Sequence, residues 1–272
     1  MRLRYIPAVT SFVEATSSRR LDDRTFALDV PDGWQQGRGA YGGYVLATIV
    51  RAVEAVHATP ERRLRTLTAE LAGPLLPGAA TIELDPLRVG SGTSTIAARV
   101  VQDGELKAHA VLVLGRDRAL AVKELGVPRP VLVPFDSIPP APPAAGGPPF
   151  VRHFDFRMTG PRPFARGNEG RAAGWVRARD LGGAPDAAYL VALADCYWPA
   201  IFTVLEAPRP MATITFTLDF VGTFDGLSHD APVFHEGQML AAERGFAPEL
   251  RTIWGPDGRL LAINHQTFCI IQ

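Results

Sequence analysis

Residues 186–206 read DAAYLVALADCYWPAIFTVLE, and from Ala187 to Val204 the one charged residue is Asp195. The run has the length and composition of a long helix, with a kink expected at Pro199, whose ring replaces an N–H donor. A surface helix shows a single apolar stripe. This one is apolar nearly all round, through Tyr189, Leu190, Val191, Leu193, Tyr197, Trp198, Ile201 and Phe202. A second segment, GYVLATIVRAVEAVHA (43–58), has the same character through Tyr44, Val45, Leu46, Ile49, Val50 and Val53. Each helix must be buried on most sides, and an antiparallel sheet wrapped round a helix achieves that.

The flanking sequence supplies such sheets. TFALDV (25–30) alternates as a strand before the first helix, and LRTLTAEL (64–71), ATIELDPLRV (80–89), STIAARVV (94–101) and ELKAHAVLVLG (105–115) follow it. GRAAGWVRARD (170–180) precedes the second helix, and MATITFTLDFV (211–221), GQMLAAER (237–244), PELRTIWG (248–255) and RLLAINHQTFCII (259–271) follow it. Each half closes on an Asp-Gly hairpin signal, VVQDGELKAHAVLVL in the first and IWGPDGRLLAINHQTF in the second. Between the halves, residues 128–149 hold nine prolines, which excludes helix and central strand. The expectation is an α+β double hotdog. An N-terminal unit spans 1–125, a Pro-rich extended linker 126–150 and a C-terminal unit 151–272, each unit an antiparallel sheet wrapped round a central helix.

Composition narrows the function. The 272 residues are 47% hydrophobic and 21% charged, with zero formal net charge, which does not suit an electrostatic nucleic-acid binder. No stretch reaches the ~18 apolar residues of a membrane span, and MRLRYIPAVTSFVEA lacks a signal-peptide pattern. Cys196 lies in an apolar run and reads as a buried free thiol, so a cytoplasmic setting is expected. His57, His109, His153, His229, His235 and His265 are scattered, and no zinc or G-x-S-x-G motif occurs; no metal or cofactor is expected.

Residues 37–42, GRGAYG, fit G-x-G-x-x-G, but no buried parallel strand leads into them and no acidic residue stands ~20 positions on, so a dinucleotide loop is not supported. Two readings of the glycines stay open. The N–H groups of Gly42 and Gly43 at a helix start can stabilise an oxyanion, or the glycines allow a tight turn and close packing. Asp195 needs hydrogen-bond partners or a raised pKa, and either suits a general base or a water-holding group; bracing a neighbouring strand is the other reading.

Ala40-Tyr41-Gly42-Gly43-Tyr44-Val45, Ala194-Asp195-Cys196-Tyr197-Trp198, Ala212-Thr213-Ile214 and the approach to Gln266 past the second Asp-Gly turn together resemble the acyl-CoA thioesterase II family of double hotdog proteins. That resemblance implies hydrolysis of an acyl-CoA to a carboxylic acid and free CoA, in fatty acid metabolism, with no cofactor and as a homodimer. It implies that Asp195, Thr213 and Gln266 hold and activate a water, with Gly43 N–H at the oxyanion. The sequence departs from the family where Thr215-Phe216 replace a usual Asp-His and Tyr197 replaces an Asn. Strand alternation puts Thr213 off the apolar face, lining a wet cleft or facing solvent. Gln266 shares a face with Asn264 and Phe268, and its counterpart in the first half is Leu112. His265 should point the opposite way and is read as structural. A non-catalytic acyl-CoA-binding double hotdog and a hotdog enoyl-CoA hydratase are the other readings; the hydratase needs a catalytic His motif that is not seen.

Overall fold

The computed structural model describes residues 10–119, 126–141 and 147–271. The expectations for the first nine residues and for the linker's PPAAG run (142–146) lie outside that range.

Among the described residues twelve strands form one sheet. In chain order they are β1 (Arg19–Arg20), β2 (Thr25–Val30), β3 (Arg62–Leu71), β4 (Gly78–Val89), β5 (Thr93–Gln102), β6 (Glu105–Arg116), β7 (Phe154–Met158), β8 (Arg171–Ala178), β9 (Met211–Phe220), β10 (Val233–Met239), β11 (Phe246–Trp254) and β12 (Leu260–Ile270). The sheet order is β1-β2-β4-β5-β6-β3-β9-β12-β11-β10-β8-β7, a sequence that repeats itself outward from its centre. At that centre β3 pairs with β9, for example Leu67 with Leu218, and joins the halves. Each neighbouring pair is antiparallel, which removes the parallel strand a dinucleotide loop requires. The first Asp-Gly turn forms as expected: Asp103 and Gly104 both have positive φ and link β5 to β6.

Among the described residues three α-helices accompany the sheet: a single turn α1 (Phe12–Ala15), α2 (Gly42–His57) and α3 (Ala187–Cys196). Helices α2 and α3 pack against each other, and α2 also packs on β3, β4, β5 and β6. The start of α2 meets the end of α3, and Arg51 in α2 meets Asp186 at the start of α3, so the two run antiparallel. Tyr44, Leu46, Ile49, Val50 and Val53 of α2 and Val191, Leu193 and Ala194 of α3 are fully buried in one core. This is the burial on most sides that their apolar surfaces demand. The fold is the expected α+β double hotdog.

Three details differ from expectation. Helix α3 does not run on through Pro199 with a kink. It ends at Cys196, Tyr197 is extended, and a 3₁₀ turn covers Ala200–Thr203. The proline ring drives the residue before it out of the helical region, which stops the helix early. Strand β10 lies N-terminal to the expected GQMLAAER, because Arg244 and Gly245, both with positive φ, make the turn into β11. The edge strand β7 was not anticipated. The described part of the proline segment is extended with short 3₁₀ turns, and it straps the outside of the second half. Trp175 Nε1 donates to Val133 O at 2.7 Å, and Phe135 packs with Trp175, Phe234 and Trp254.

Candidate active site

Asp195 sits in the last turn of α3 and is buried. Its Oδ2 accepts a hydrogen bond from Gly43 N–H at 2.6 Å. That contact requires the start of α2 to lie almost against α3. A Cβ on Gly42 would stand 2.8 Å from Asp195 Oδ2, and one on Gly43 2.9 Å from Ala192 O. Both distances are too short for a carbon, so only glycine permits the approach. The glycines therefore serve close packing, here of helix on helix, and also present an N–H to a charge at a helix start. Gly43 N–H is engaged by the carboxylate and not free, whereas Gly42 N–H has no acceptor among the described residues.

Gln266 on β12 is fully buried. Its Oε1 accepts from Thr213 Oγ1 at 3.3 Å, and its Nε2 donates to Asn264 Oδ1 at 2.9 Å. Asn264 Nδ2 in turn donates to Thr217 O at 2.7 Å. Thr213 is where plain alternation fails. Between Thr213 and Thr215 the register of β9 on β12 shifts: Thr213 faces Phe268, Thr215 faces Thr267, and Ile214 is the extra residue. This bulge turns Thr213 from the outer face to the inner one, beside Gln266. Thr213 stays half-exposed, so the cluster opens towards solvent on its side. His265 is exposed on the opposite face.

Burial pushes the Asp195 carboxyl above the usual carboxylate range, opposed by the charge of Arg251, by Gly43 N–H and by Gln266. The adjacent Cys196 thiol is pushed well up by burial and donates to Leu193 O, so it holds no thiolate nucleophile.

The strand beside Gln266 carries two residues that sequence reading passed over. Glu249 on β11 is the cross-strand partner of Gln266, and Arg251 that of Asn264. Both are essentially inaccessible, and Arg251 Nε donates to Glu249 Oε1 at 2.8 Å. Their signal lay in PELRTIW, where two charges share one strand face with Ile253 while Leu250 turns outward at 37% exposure. Fully buried His235 stacks on Tyr197 at 4.6 Å between centroids, and burial drives its pKa well down, so it is neutral.

The first half keeps the frame without the polar groups. Its β3–β6 pair has a matching register shift between Leu64 and Thr66. Leu64 stands where Thr213 does, and Leu112, facing Leu67, stands where Gln266 does. At that end Arg51 pairs with Asp186 at 2.7 Å. A cavity of about 460 Å³ is lined there by Glu54, Leu64, Leu190, Phe220 and Phe224.

Comparison with known proteins agrees with this layout. Among solved structures, a conserved protein of unknown function with a hot dog fold from Alicyclobacillus acidocaldarius is similar at 25% identity, TM-score 0.84, covering 96% of this chain and 98% of the other. The tesB protein of Mycobacterium avium subs paratuberculosis is similar at 15% identity, TM-score 0.77, with the same coverage of 96% and 98%. The acyl-CoA thioesterase II TesB2 of Mycobacterium marinum is similar at 16% identity, TM-score 0.74, again over 96% and 98%. At the latter two identities the likeness is one of fold. No curated protein sequence matches the chain. The model of the acyl-CoA thioesterase N-terminal domain matches residues 30–115, and that of the C-terminal domain matches residues 133–270. With both domains present in order, and the C-terminal match alone spanning half its length, the chain belongs to the acyl-CoA thioesterase family.

Proposed function

We propose that this protein hydrolyses an acyl-CoA thioester to a carboxylic acid and free CoA. The observation that carries the reading is the buried cluster of Asp195, Gln266 and Thr213, three polar groups brought together from α3, β12 and β9. In this reading Thr213 and Gln266 hold a water against Asp195. A carboxylate with a raised pKa is a suitable proton acceptor near neutral pH. The water oxygen attacks the thioester carbonyl carbon as its proton passes to Asp195. The tetrahedral intermediate then expels the CoA sulfur, the C–S bond breaks, and the proton returns from Asp195 to the leaving thiolate. Gly43 takes part through its N–H, which holds Asp195 in the resting chain, and Gly42 N–H is the donor left for the developing oxyanion. The half-exposed side of Thr213 is where substrate enters.

We also propose two hotdog units over 1–125 and 151–272 joined by 126–150, a homodimer, and a cytoplasmic location. Among the described residues no helix is long and apolar enough to cross a membrane. Light scattering tests the dimer.

The deciding experiment follows free-thiol release from short, medium and long acyl-CoAs with the wild type and with Asp195→Asn. Turnover by the wild type that the substitution lowers by about 100-fold or more is expected. Equal turnover by both sinks the role of Asp195. Tight binding without turnover on any substrate moves the reading to a non-catalytic acyl-CoA-binding protein.

A further inference from the structure

The end of α3 is anchored by groups outside the Asp195–Gln266–Thr213 cluster. The carbonyl of Ala194, one residue before Asp195, is in the last turn of the helix and has no partner within it. Arg251 Nη1 donates to it at 2.9 Å. A cation at this end also suits the helix dipole. The guanidinium is then tied to Glu249, whose other oxygen, Oε2, accepts from Ala200 N–H at 2.6 Å, just past the helix end. One ion pair thus grips the chain on both sides of Asp195.

The charges are divided in a particular way. Among the described residues Arg251 forms its ion pair with Glu249 and none with Asp195. Asp195 accepts instead from the neutral Gly43 N–H, with the neutral amide of Gln266 also acting to lower its pKa. The remaining groups facing it are the Tyr41 phenol at the start of α2 and the Cys196 thiol on its own helix, both neutral because burial raises their pKa values well above neutrality. His235, which faces Arg251, is neutral as well. The charged groups nearest Asp195 are therefore Arg251, which holds its pKa down, and Glu249, whose own carboxyl is pushed up by burial against the charge of Arg251.

We propose that the Glu249–Arg251 pair is a positioning device for Asp195: Arg251 fixes the backbone that carries the carboxylate, and Glu249 takes up the guanidinium so that it does not capture Asp195. A guanidinium left free in this low-dielectric site would bind the aspartate directly and make it a poor base. The proposal gives the pair a part in the thioesterase reading, but its test does not depend on turnover.

The test is a ¹³C-carboxyl NMR titration of Asp195, its resonance identified by its loss in Asp195→Asn, in the wild type and in Glu249→Gln. With the glutamate charge gone, Arg251 acts on Asp195 unopposed, and the aspartate is expected to titrate about one pH unit lower than in the wild type. Titration at the wild-type pH overturns the proposal. Should Glu249→Gln not fold, Glu249→Asp takes its place. Its shorter side chain draws the carboxylate away from Arg251, so a smaller downward move is expected, and an unchanged titration again overturns the proposal. Acyl-CoA hydrolysis is followed separately: a wild type that cleaves no thioester sinks the proposed function, whereas an unmoved Asp195 sinks the role of the pair alone.

Discussion

Gly43 N–H and Asp195 Oδ2 meet at 2.6 Å although 152 positions separate the two residues in the chain. The bond ties the start of one central helix to the end of the other, and it exists because two glycines let the helices touch.

Two alanine substitutions separate packing from chemistry. Gly43→Ala pushes a methyl group into the backbone of Ala192, and overpacking of this kind costs about 1–3 kcal/mol. A lowered melting temperature is the expected result. Gly42→Ala instead meets the Asp195 carboxylate and the flexible end of Leu71. Hydrolysis is expected to fall much more than stability, and paired thermal melts and thiol-release assays on both variants check the contrast.

Asp195 also bears on stability. Its folded pKa is raised by burial, so the folded state holds a proton that the unfolded chain releases first. The contribution is favourable at pH below the unfolded value of 3.8 and is lost as pH rises through the folded value. Asp195→Asn removes this loss, so at neutral pH the variant is expected to melt higher than the wild type.

Glu54, in the cavity of the first half, obeys the same sign. Burial first, and Asp186 second, raise it to about 7 against the opposing charge of Arg51. It is expected to weaken the fold progressively between the unfolded value of 4.5 and about 7. Glu54→Gln should flatten that part of the melting-temperature profile. Identical slopes in the two proteins would show that Glu54 does not titrate in this range.

The bulge at Ile214 yields a third kind of test. Thr213→Ala removes one hydrogen bond to Gln266 and is expected to lower kcat about tenfold, near 1.4 kcal/mol, with Thr213→Ser retaining activity. Deleting Ile214 removes the extra residue and leaves Thr213 next to Thr215, still on the inner face opposite Phe268. Retained hydrolysis with retained sheet content by circular dichroism is the expected outcome.

The proline strap is tested at Phe135. Its ring lies under the guanidinium groups of Arg157 and Arg177, at 4.6 and 4.7 Å, and packs on Trp175. Phe135→Ala is expected to cost about 3 kcal/mol in urea unfolding while leaving hydrolysis intact.

Much of this could be read from residue order. The apolar helices demanded an enclosing sheet, the paired glycines marked a close approach, and a lone carboxylate in a greasy run pointed to Asp195. What stayed hidden depended on one-residue shifts. Alternation placed Thr213 on the wrong face, because nothing in MATITFTLDF announces that Ile214 is the extra residue. In PELRTIW a rule that sends leucine inward reverses the strand, and so conceals Glu249 and Arg251, whose burial is affordable only because they pair with each other. The end of α3 at Cys196 needed the rule that proline acts on the residue before it, and not only on its own turn.

The leucines at 64 and 112 have a meaning for how such a chain evolves. In an assembly of identical subunits every substitution is inherited by both copies of a reaction centre, so neither can drift alone. Here both copies are written into one polypeptide, and each can be edited without touching the other. One end carries Thr213 and Gln266, and the opposite end carries Leu64 and Leu112 beside a cavity of about 460 Å³. Covalent linkage of two like halves thus leaves their ends free to differ.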